Sequence, residues 1–345
     1  MQSEKSFQLL ENPESFLADY FKKRKPTSLF VLVDQKSKRN CLPIIRNGLP
    51  KGTKIITIPS GENHKTLETC SLVWKELTKG NADRKALLIN LGGGVVGDLG
   101  GFAASVYKRG IPFIQMPTTL LAMVDASLGG KTGVDFEEFK NQIGAFAQPE
   151  DVWVYPEFLK TLPDLEILSG FAEVIKHALI ANASDWNLLR KRELPDQNWH
   201  ELIPKSLAIK DAIVKADPFE KGERKKLNAG HTLGHALETH LLKTGKPMPH
   251  GHCVAAGLVM ESSIAVSKGW LEEREMFQIE ELIYALYGSI RFNKSEIRSI
   301  VKLAGQDKKN EGGKVNLSLI GPIGNCQTDY FASQEELIKA VGYYL

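Results

Sequence analysis

Histidines in the second half of the chain have the spacing of a metal site. His231 and His235 are four residues apart in GHTLGH, which brings both side chains to one face of a helix. His250 follows in PHGH, and Glu173 lies with Lys176 in the apolar run FAEVIKHALI. One carboxylate and two histidines leave a coordination position open for substrate, as in a catalytic zinc site. The HExxH motif is absent, so structural or surface histidines remain the alternative.

Basic and amide side chains precede these histidines. Lys210 comes first, and Arg224 and Asn228 follow four residues apart in GERKKLNAGH. Helical spacing would place Arg224, Asn228, His231 and His235 on a single helix face. The alternative for Arg224 is a solvated helix residue, because charged residues surround it.

A glycine run in the first half is suited to a phosphate. The run GGGVVGD, residues 92–98, follows an apolar segment, and glycines let backbone N–H groups approach a phosphate closely. A helix beginning there would add its positive end. The spacing is not that of the GxGxxG fingerprint, and a tight turn from strand to helix is the alternative.

Two further segments carry charged groups at the ends of apolar runs. In SGENHK, Glu62 could accept from ribose hydroxyls and Lys65 could meet a phosphate, although a helix start with a surface ion pair is the alternative. Residues 117–146 contain Asp125, the run GGKT, Lys140 and Asn141, which suit a phosphorylated or carboxylated ligand. This is not the P-loop spacing, and a glycine-rich loop with solvated lysines is the alternative.

The elements that must position these residues differ between the two halves. Apolar runs at residues 29–33, 55–58, 86–91 and 113–116 recur at the spacing of βαβ units, and continuous apolar runs are typical of buried parallel strands. Ligands on such sheets bind beyond the carboxyl ends of the strands. From about Pro163 the apolar spacing becomes helical, with one late strand at residues 315–320. We expect an α/β domain over residues 1–162 and a mainly helical domain over 163–345.

Composition excludes several classes of protein. Hydrophobic residues make up 42% and charged residues 25% of the 345, as in globular proteins, and a net charge of +3 gives no reason to expect a nucleic-acid partner. No apolar stretch is long enough to span a membrane. The first residues have no basic start followed by an apolar run, so we expect no secretory signal there. The four cysteines, without CxxC pairs, predict free thiols in a cytoplasmic protein.

Together these segments resemble the 3-dehydroquinate synthase family. The matching runs follow one another from about residue 60 to residue 325: GGGVVGDLGGF, YKRG, MPTTLLAMVDASLGGKTGVD, KNQIGAFAQP, LKTLP, GFAEVIKHALI, GERKKLNAGHTLGHALE, HGHCVAAGLVM and DKK. The resemblance implies a Rossmann-like nucleotide-binding domain, a helical metal- and substrate-binding domain, and a site in the cleft between them. It also implies a homodimer, NAD, a divalent metal (zinc, with cobalt possible), and conversion of 3-deoxy-D-arabino-heptulosonate 7-phosphate, a phosphorylated sugar acid, to 3-dehydroquinate and phosphate.

The resemblance also implies roles for individual residues. The metal ligands would be Glu173, His231 and His250. NAD contacts would be made by Asp34, Ser60, Gly61, Glu62, Asn63, His64, Lys65, Gly94, Val95, Val96, Gly97, Asp98, Thr118, Thr119, Lys131, Lys140, Phe158, Leu159, Lys160 and Thr161. Substrate contacts would be made by Asp125, Lys131, Lys140, Asn141, Lys176, Lys210, Arg224, Asn228, His235, Arg109 and Lys308, with Lys309 as the alternative to Lys308. Arg109 would reach the substrate phosphate of the neighbouring subunit.

The implied reaction assigns chemistry to a smaller set. His235 would relay the proton of the hydroxyl being oxidised, and Glu220 is a second candidate for proton transfer. Lysines and arginine would hold the leaving phosphate. The implied catalytic set is His235, Lys176, Lys131, Arg224, Asn228 and Glu220.

Three positions depart from the family pattern. His252 stands where Glu is usual and adds an imidazole that could compete with His250. Phe139 replaces a glycine, and Asp135 stands where Asn is common. None of these changes removes a residue on which the implied reaction depends.

Three other activities fit parts of this sequence. A related cyclase, such as a 2-epi-5-epi-valiolone synthase, would lack the substrate carboxylate, and Arg224 with Asn228 argues against it. A metal-dependent polyol dehydrogenase would produce NADH without releasing phosphate, and the lysine set argues against that. A non-catalytic NAD-binding module would have lost metal ligands or lysines, and all are present.

Overall fold

The computed structural model describes residues 6–137, 139–305 and 314–345. The chain divides into two compact units, unit 1 over residues 1–163 and unit 2 over residues 164–345. Each unit has its own buried core, and each is described separately below.

Unit 1 is built on a parallel sheet. Its strands are β1 (Gln8–Leu9), β2 (Leu29–Asp34), β3 (Lys54–Ile58), β4 (Leu87–Gly92), β5 (Phe113–Pro117), β6 (Lys131–Phe136), β7 (Phe139–Phe146) and β8 (Asp151–Val154). Six of them form a sheet in the order β1-β8-β5-β4-β2-β3, with parallel pairing throughout. β6 and β7 form a separate antiparallel hairpin.

Helices of unit 1 follow the strands of the sheet. They are α1 (Pro13–Lys23), α2 (Gln35–Asn40), α3 (Leu42–Ile45), α4 (Leu67–Lys79) and α5 (Gly94–Val106). α4 and α5 contribute to one apolar cluster with strands β2 to β5. α5 lies close to the sheet because it has glycine at Gly100, where a Cβ would come 2.1 Å from Asn90 Oδ1.

Unit 2 is mainly helical. Its elements are α6 (Asp164–Ala181), α7 (Ala183–Leu189), α8 (Trp199–Ala216), α9 (His231–Lys243), α10 (His250–Ser267), α11 (Glu273–Tyr287), α12 (Ile297–Ala304), β9 (Val315–Ile320), β10 (Cys326–Ala332) and α13 (Gln334–Tyr343). β9 and β10 pair antiparallel. α6 and α10 are the most deeply buried helices, with apolar residues around most of their circumference.

The predicted fold class is confirmed. All four strands read from apolar runs form at β2 to β5, and the late strand forms at β9. Strands β1, β6, β7, β8 and β10 were not predicted. The four cysteines are free and buried. Among the helices that the structure describes, none has the length and apolar character needed to cross a membrane.

Candidate active site

The segments predicted to contact NAD meet at one edge of the sheet of unit 1. Asp34 ends β2, residues 60–65 follow β3, the glycine run follows β4, and residues 118–119 follow β5. Residues 158–161 belong to a 3₁₀ turn after β8. Parallel strands bring their carboxyl ends to the same edge, and β3 and β4 lie on opposite sides of β2. This reversal of strand order is where open α/β sheets bind ligands.

The glycine run lines a small cavity at the beginning of α5. The cavity wall comprises Gly92, Gly93, Gly94, Gly97, Asp98, Gln115, Pro117, Ala122, Ala126 and Ser127. A Cβ at Gly93 would come 3.0 Å from Thr119 Cγ2. Ser127 Oγ is buried and has no hydrogen-bond partner among the described residues. A cavity walled by four glycines, beside a helix N-terminus and a hydroxyl lacking a partner, fits a dinucleotide phosphate.

The buried side chain of Lys65 joins two elements of unit 1, a role that we call the hub role. Its Nζ donates to Asp98 Oδ2 at 2.7 Å and to Asn141 Oδ1 at 2.6 Å. Its backbone carbonyl accepts from Asp135 N, and Asp135 Oδ1 accepts from Asn141 N. Burial alone would lower the pKa of Lys65, but nearby carboxylates, first that of Asp98 and then that of Glu62, raise it above its ordinary value. Lys65 is therefore not a surface residue, and its side chain ties α5 to the hairpin.

Replacing Lys65 by Met should destabilise unit 1 strongly. The variant leaves the carboxylate of Asp98 without this buried cation, a loss that costs about 3 kcal/mol in comparable pairs. We expect a lower thermal unfolding midpoint and weaker NAD binding, measured by calorimetry. Lys79→Met is the matched control, because Lys79 makes an exposed ion pair with Glu76 in the same unit. Equal midpoints for the two variants would contradict the hub role.

The hairpin of unit 1 carries the other predicted contacts of this half. Lys131 begins β6, and Lys140 and Asn141 lie near the start of β7, with Asn141 at φ +51°. Asp125 lies in a π-helical turn, Ala122–Ala126. Such turns are rare and frequently occur at functional sites. Lys131–Phe136 and Phe139–Phe146 are therefore paired strands, and Gly129 and Gly130 precede them with positive φ.

Arg109 lies at the opposite edge of the sheet from the segments predicted to bind NAD. α5 runs from the carboxyl end of β4 back towards the amino end of β5, and Arg109 follows it in a short 3₁₀ turn. Both Lys108 and Arg109 have positive φ, at 50° and 67°, and Arg109 is exposed. Two successive non-glycine residues with this backbone cost free energy, and such strain clusters at functional sites.

Four ionisable side chains converge in unit 2. α6 supplies Glu173, the first turns of α9 supply His231 and His235, and α10 begins with His250. Glu173 Oε1 lies 3.3 Å from His231 Nε2 and 3.8 Å from His250 Nε2. The potential ligand atoms of the three histidines lie within 4.8 Å of one another. Lys176 forms an ion pair with Glu173 on the same face of α6.

Hydrogen bonds at the other ring nitrogens determine what these histidines present to Glu173. His231 Nδ1 donates to Ala229 O at 3.1 Å, and His250 Nδ1 donates to Glu238 Oε2 at 3.0 Å. In a neutral imidazole the Nε2 atom then carries the lone pair, and both Nε2 atoms face a carboxylate that is 1% exposed. Loss of hydration lowers the pKa of His231, which favours the neutral form. A cation placed between these nitrogen and carboxylate acceptors would satisfy all of them, so the donor set fits a divalent metal.

His252 does not belong to this cluster. Its ring packs edge-to-face on Tyr287 with 5.1 Å between centroids, and burial lowers its pKa. Among the described residues, His250 belongs to the group of potential metal ligands with His231 and His235, and no such group contains His252. The imidazole that replaces the usual Glu therefore does not compete with His250 for the histidine cluster.

The prediction of one helical face from Arg224 to His235 is wrong. Glu223–Asn228 is a 3₁₀ turn, and α9 begins only at His231. Gly230 separates the two, with a left-handed φ of +75° that ends one helix before the next begins. A Cβ at this position would come 2.6 Å from Leu258 Cγ, so the turn also depends on glycine for space.

The 3₁₀ turn nevertheless holds its predicted residues in defined positions. Arg224 is 3% exposed and not a solvated residue, and its Nη1 donates to Pro218 O at 2.7 Å. Asn228 Nδ2 donates to Glu220 Oε1 at 2.7 Å. Asp217 accepts from the backbone N–H groups of residues 221, 222 and 224. These bonds lower the pKa of Asp217 to about 2.

Asp217→Asn should destabilise the protein in a pH-dependent manner. The pKa of Asp217 is about 2 in the folded chain against an ordinary 3.8, so the carboxylate contributes stability above about pH 4. This contribution is lost as the pH falls from about 4 towards 2, because the unfolded chain then takes up a proton first. The gap in thermal midpoint between wild type and variant should shrink over that range. A constant gap, as expected for the exposed control Asp196→Asn, would contradict this role.

Buried cations accompany the metal-type cluster of unit 2. Lys176, Lys210 and Arg224 are each at most 5% exposed. The elements that carry them, α6, α8 and the 3₁₀ turn, pack against one another. Several cations on packed elements create a positive potential, so this arrangement suits an anionic ligand nearby. Lys308 and Lys309 lie outside the described residues.

Several residues that support the site were not found from the sequence. Glu238 orients His250, Asp217 orders the turn that holds Arg224, and Ser127 lines the glycine cavity. Glu238 lies seven residues after His231, which is a helical signal, although nothing local connects it with His250. Asp217 and Ser127 act through folded contacts that no spacing rule describes.

Two sequence profiles of one family match the chain in succession. The profile of the 3-dehydroquinate synthase N-terminal domain matches residues 55–169, and that of the C-terminal domain matches residues 170–310. The 3-dehydroquinate synthase of Parabacteroides distasonis is 35% identical over 347 residues, covering 99% of this chain and 98% of that protein.

More distant solved structures share the fold. ValA, the 2-epi-5-epi-valiolone synthase from Streptomyces hygroscopicus subsp. jinggangensis 5008 with NAD+ and Zn2+ bound, has a TM-score of 0.85 at 23% identity, covering 100% of this chain and 98% of that one. A 2-deoxy-scyllo-inosose synthase complexed with carbaglucose-6-phosphate, NAD+ and Co2+ has a TM-score of 0.85 at 21% identity, covering 98% and 96%. At identities below 25%, these similarities establish the fold of the chain and do not identify its substrate.

Proposed function

The chain belongs to the 3-dehydroquinate synthase family, and we propose that it converts 3-deoxy-D-arabino-heptulosonate 7-phosphate to 3-dehydroquinate and phosphate. This is a carbon–oxygen lyase reaction of aromatic amino-acid biosynthesis. The observation that carries the proposal is the buried cluster of unit 2. There, the Nε2 atoms of two imidazoles face the carboxylate of Glu173, and the cations Lys176, Lys210 and Arg224 are buried on elements packed together.

We assign the cofactors to residues whose surroundings fit them. Glu173, His231 and His250 would hold a divalent metal, with zinc the first choice and cobalt the second. The carboxyl edge of the sheet and the glycine cavity would hold NAD. The residues assigned to NAD are 34, 60–65, 94–98, 118–119 and 158–161, together with Lys131 and Lys140. When bound, NAD takes up a hydride and later returns it, and the metal polarises the hydroxyl being oxidised.

The chain's own residues supply binding and proton transfer. His235 is exposed and its ring centroid is 5.2 Å from that of His231, so it can accept the proton of the substrate hydroxyl. Arg224 and Asn228 would bind the substrate carboxylate, for which a guanidinium fork is well matched. Glu220, held on Asn228, is the second proton-transfer candidate.

Several lysines would bind the phosphate group of the substrate. Lys131, Lys140 and Asn141 lie on the hairpin of unit 1, while Lys176 and Lys210 are buried in unit 2. Charge-assisted hydrogen bonds from lysine stabilise a phosphate as it leaves, and the phosphate itself can take the neighbouring C–H proton. Asp125 and Lys308 complete the proposed substrate set.

We further propose a cytoplasmic homodimer. Four free, buried cysteines suit a reducing compartment. The position of Arg109, exposed at the edge of the sheet remote from the NAD segments, suits a contact with the substrate of a second copy.

The test is a phosphate-release assay with the full chain, NAD, Zn2+ and 3-deoxy-D-arabino-heptulosonate 7-phosphate. We expect steady phosphate release without accumulation of NADH, abolished by a chelator. NADH without phosphate would instead indicate a polyol dehydrogenase. Turnover only of an uncarboxylated heptulose 7-phosphate would indicate a valiolone-type cyclase and would remove the proposed role of Arg224.

A further inference from the structure

The carboxylate of Glu261 caps the helix that carries two of the clustered histidines. Glu261 Oε2 accepts from the backbone N–H of Gly230 at 2.7 Å, and Oε1 accepts from the backbone N–H of Leu233 at 3.0 Å. Glu261 lies on α10 and is 2% exposed. It stands 31 and 28 residues from its two partners, so the cap is a tertiary contact and not a local one.

α9 needs this cap because its own N-cap residue cannot provide one. The N-cap is Gly230, whose left-handed backbone and tight packing on Leu258 exclude a side chain. The first N–H groups of a helix have no partner within it, and an N-cap side chain would ordinarily accept from the third helical residue. Leu233 is that residue, and Glu261 takes the place of the missing side chain. A carboxylate at a helix N-terminus is also favoured by the helix dipole.

The same contact fixes the spacing between two ligand-bearing helices. His231 is the first residue of α9, and His250 is the first residue of α10. The helices approach so closely that a Cβ at Gly257 would lie 1.9 Å from Gly230 O. Gly257 precedes Glu261 by one helical turn on α10, so glycine packing and the carboxylate cap hold the start of α9 against the same side of α10.

We propose that Glu261 is a positioning residue that sets the geometry of the histidine cluster. The inference rests on the proposed metal site, to which Glu261 itself contributes no ligand. A shift at the start of α9 would move His231 and His235 together relative to His250 and Glu173. Residues that orient metal ligands from outside the coordination sphere commonly change affinity by 10- to 100-fold when replaced.

The test is cobalt binding by the full-length protein after metal removal with a chelator. Co2+ is titrated into wild type, Glu261→Gln and the control Ser262→Ala, and its visible absorption is recorded. Gln keeps the size of the side chain but presents an N–H₂ group to one backbone donor. Ser262 is equally buried on α10, and its hydroxyl has no hydrogen-bond partner among the described residues.

We expect Glu261→Gln to bind Co2+ at least about tenfold more weakly than wild type. Its absorption spectrum at saturating Co2+ should also change, which a general loss of stability would not produce. Ser262→Ala should match wild type in both measurements. Wild-type affinity and spectrum in Glu261→Gln would overturn the inference while leaving the metal site standing. Absence of cobalt absorption in wild type would overturn the metal site, and the inference with it.

A second measurement serves if Glu261→Gln fails to fold. Hydrogen exchange of wild type reports directly on the amides of Gly230 and Leu233, because accepted N–H groups exchange slowly. We expect both amides to be protected at least about tenfold more than those of His231 and Thr232, for which the helix provides no acceptor. Equal exchange at all four positions would overturn the inference.

Discussion

Replacing Glu173 by Gln should remove bound divalent metal and reduce kcat by about 10³-fold or more. Glu173 Oε1 lies within 4 Å of the Nε2 atoms of both His231 and His250. A neutral amide keeps the shape but withdraws the negative charge that compensates a divalent ion in a buried position. His250→Ala should behave in the same way, because a set of three ligands cannot spare one.

The measurements are metal content by elemental analysis and phosphate release at saturating substrate. Glu166→Gln is the matched control, since Glu166 is an exposed residue in the first turn of the same helix. It should retain metal and activity. Full zinc content together with full activity in Glu173→Gln would rule out the ligand assignment, even if the overall reaction is the proposed one.

Arg109→Ala should abolish most activity as a homodimer, yet recover it in mixed dimers with Glu173→Gln. In a two-fold symmetric dimer each site would receive Arg109 from the other copy. A mixed dimer then has one site with intact Glu173 and an intact partner Arg109, and one site lacking both. Equal mixing yields half mixed dimers with one working site each, so we expect roughly a quarter of wild-type activity.

The mixed-dimer experiment distinguishes an Arg109 that acts on the site of its own subunit from one that acts on the site of the neighbouring subunit. If Arg109 acted within its own subunit, no site in the mixed dimer would be complete, and the mixture would stay as inactive as its components. Lys108→Ala is a suitable control, because Lys108 shares the strained turn but has no assigned contact with the substrate. The subunits must be unfolded and refolded together, or coexpressed with different tags, so that mixed dimers are known to form.

The sequence predicted those strands whose burial on both faces produces a continuous run of apolar residues. β2, β4 and β5 are buried almost throughout, so continuous apolar runs marked them. The hairpin of β6 and β7 was missed because its strands mix charged, glycine and apolar residues without regular alternation. β1 was missed because it has only two residues, and β10 was missed because about half of it is exposed and it contains no continuous apolar run.

Helix α9, which carries His231 and His235, shows how far residue spacing can predict a shared helix face. His231 and His235 share a helix as their spacing predicted, but the same reasoning failed when extended back to Arg224. One left-handed glycine, Gly230, changes the direction of the chain between the two segments. Helical periodicity carries no information across such a residue, because the angular register is lost there.

By itself, the sequence determined the family, the alternation of strands and helices in the first half, and the residue types available for metal, phosphate and dinucleotide. These properties depend on local order along the chain, which periodicity and motifs record. Only the tertiary structure decided that Glu173, His231 and His250 converge, that Lys65 is a buried tie, and that Glu238 and Glu261 support the histidines. Each of these contacts joins separate elements, and its distance depends on how close two helices or a helix and a hairpin can pack.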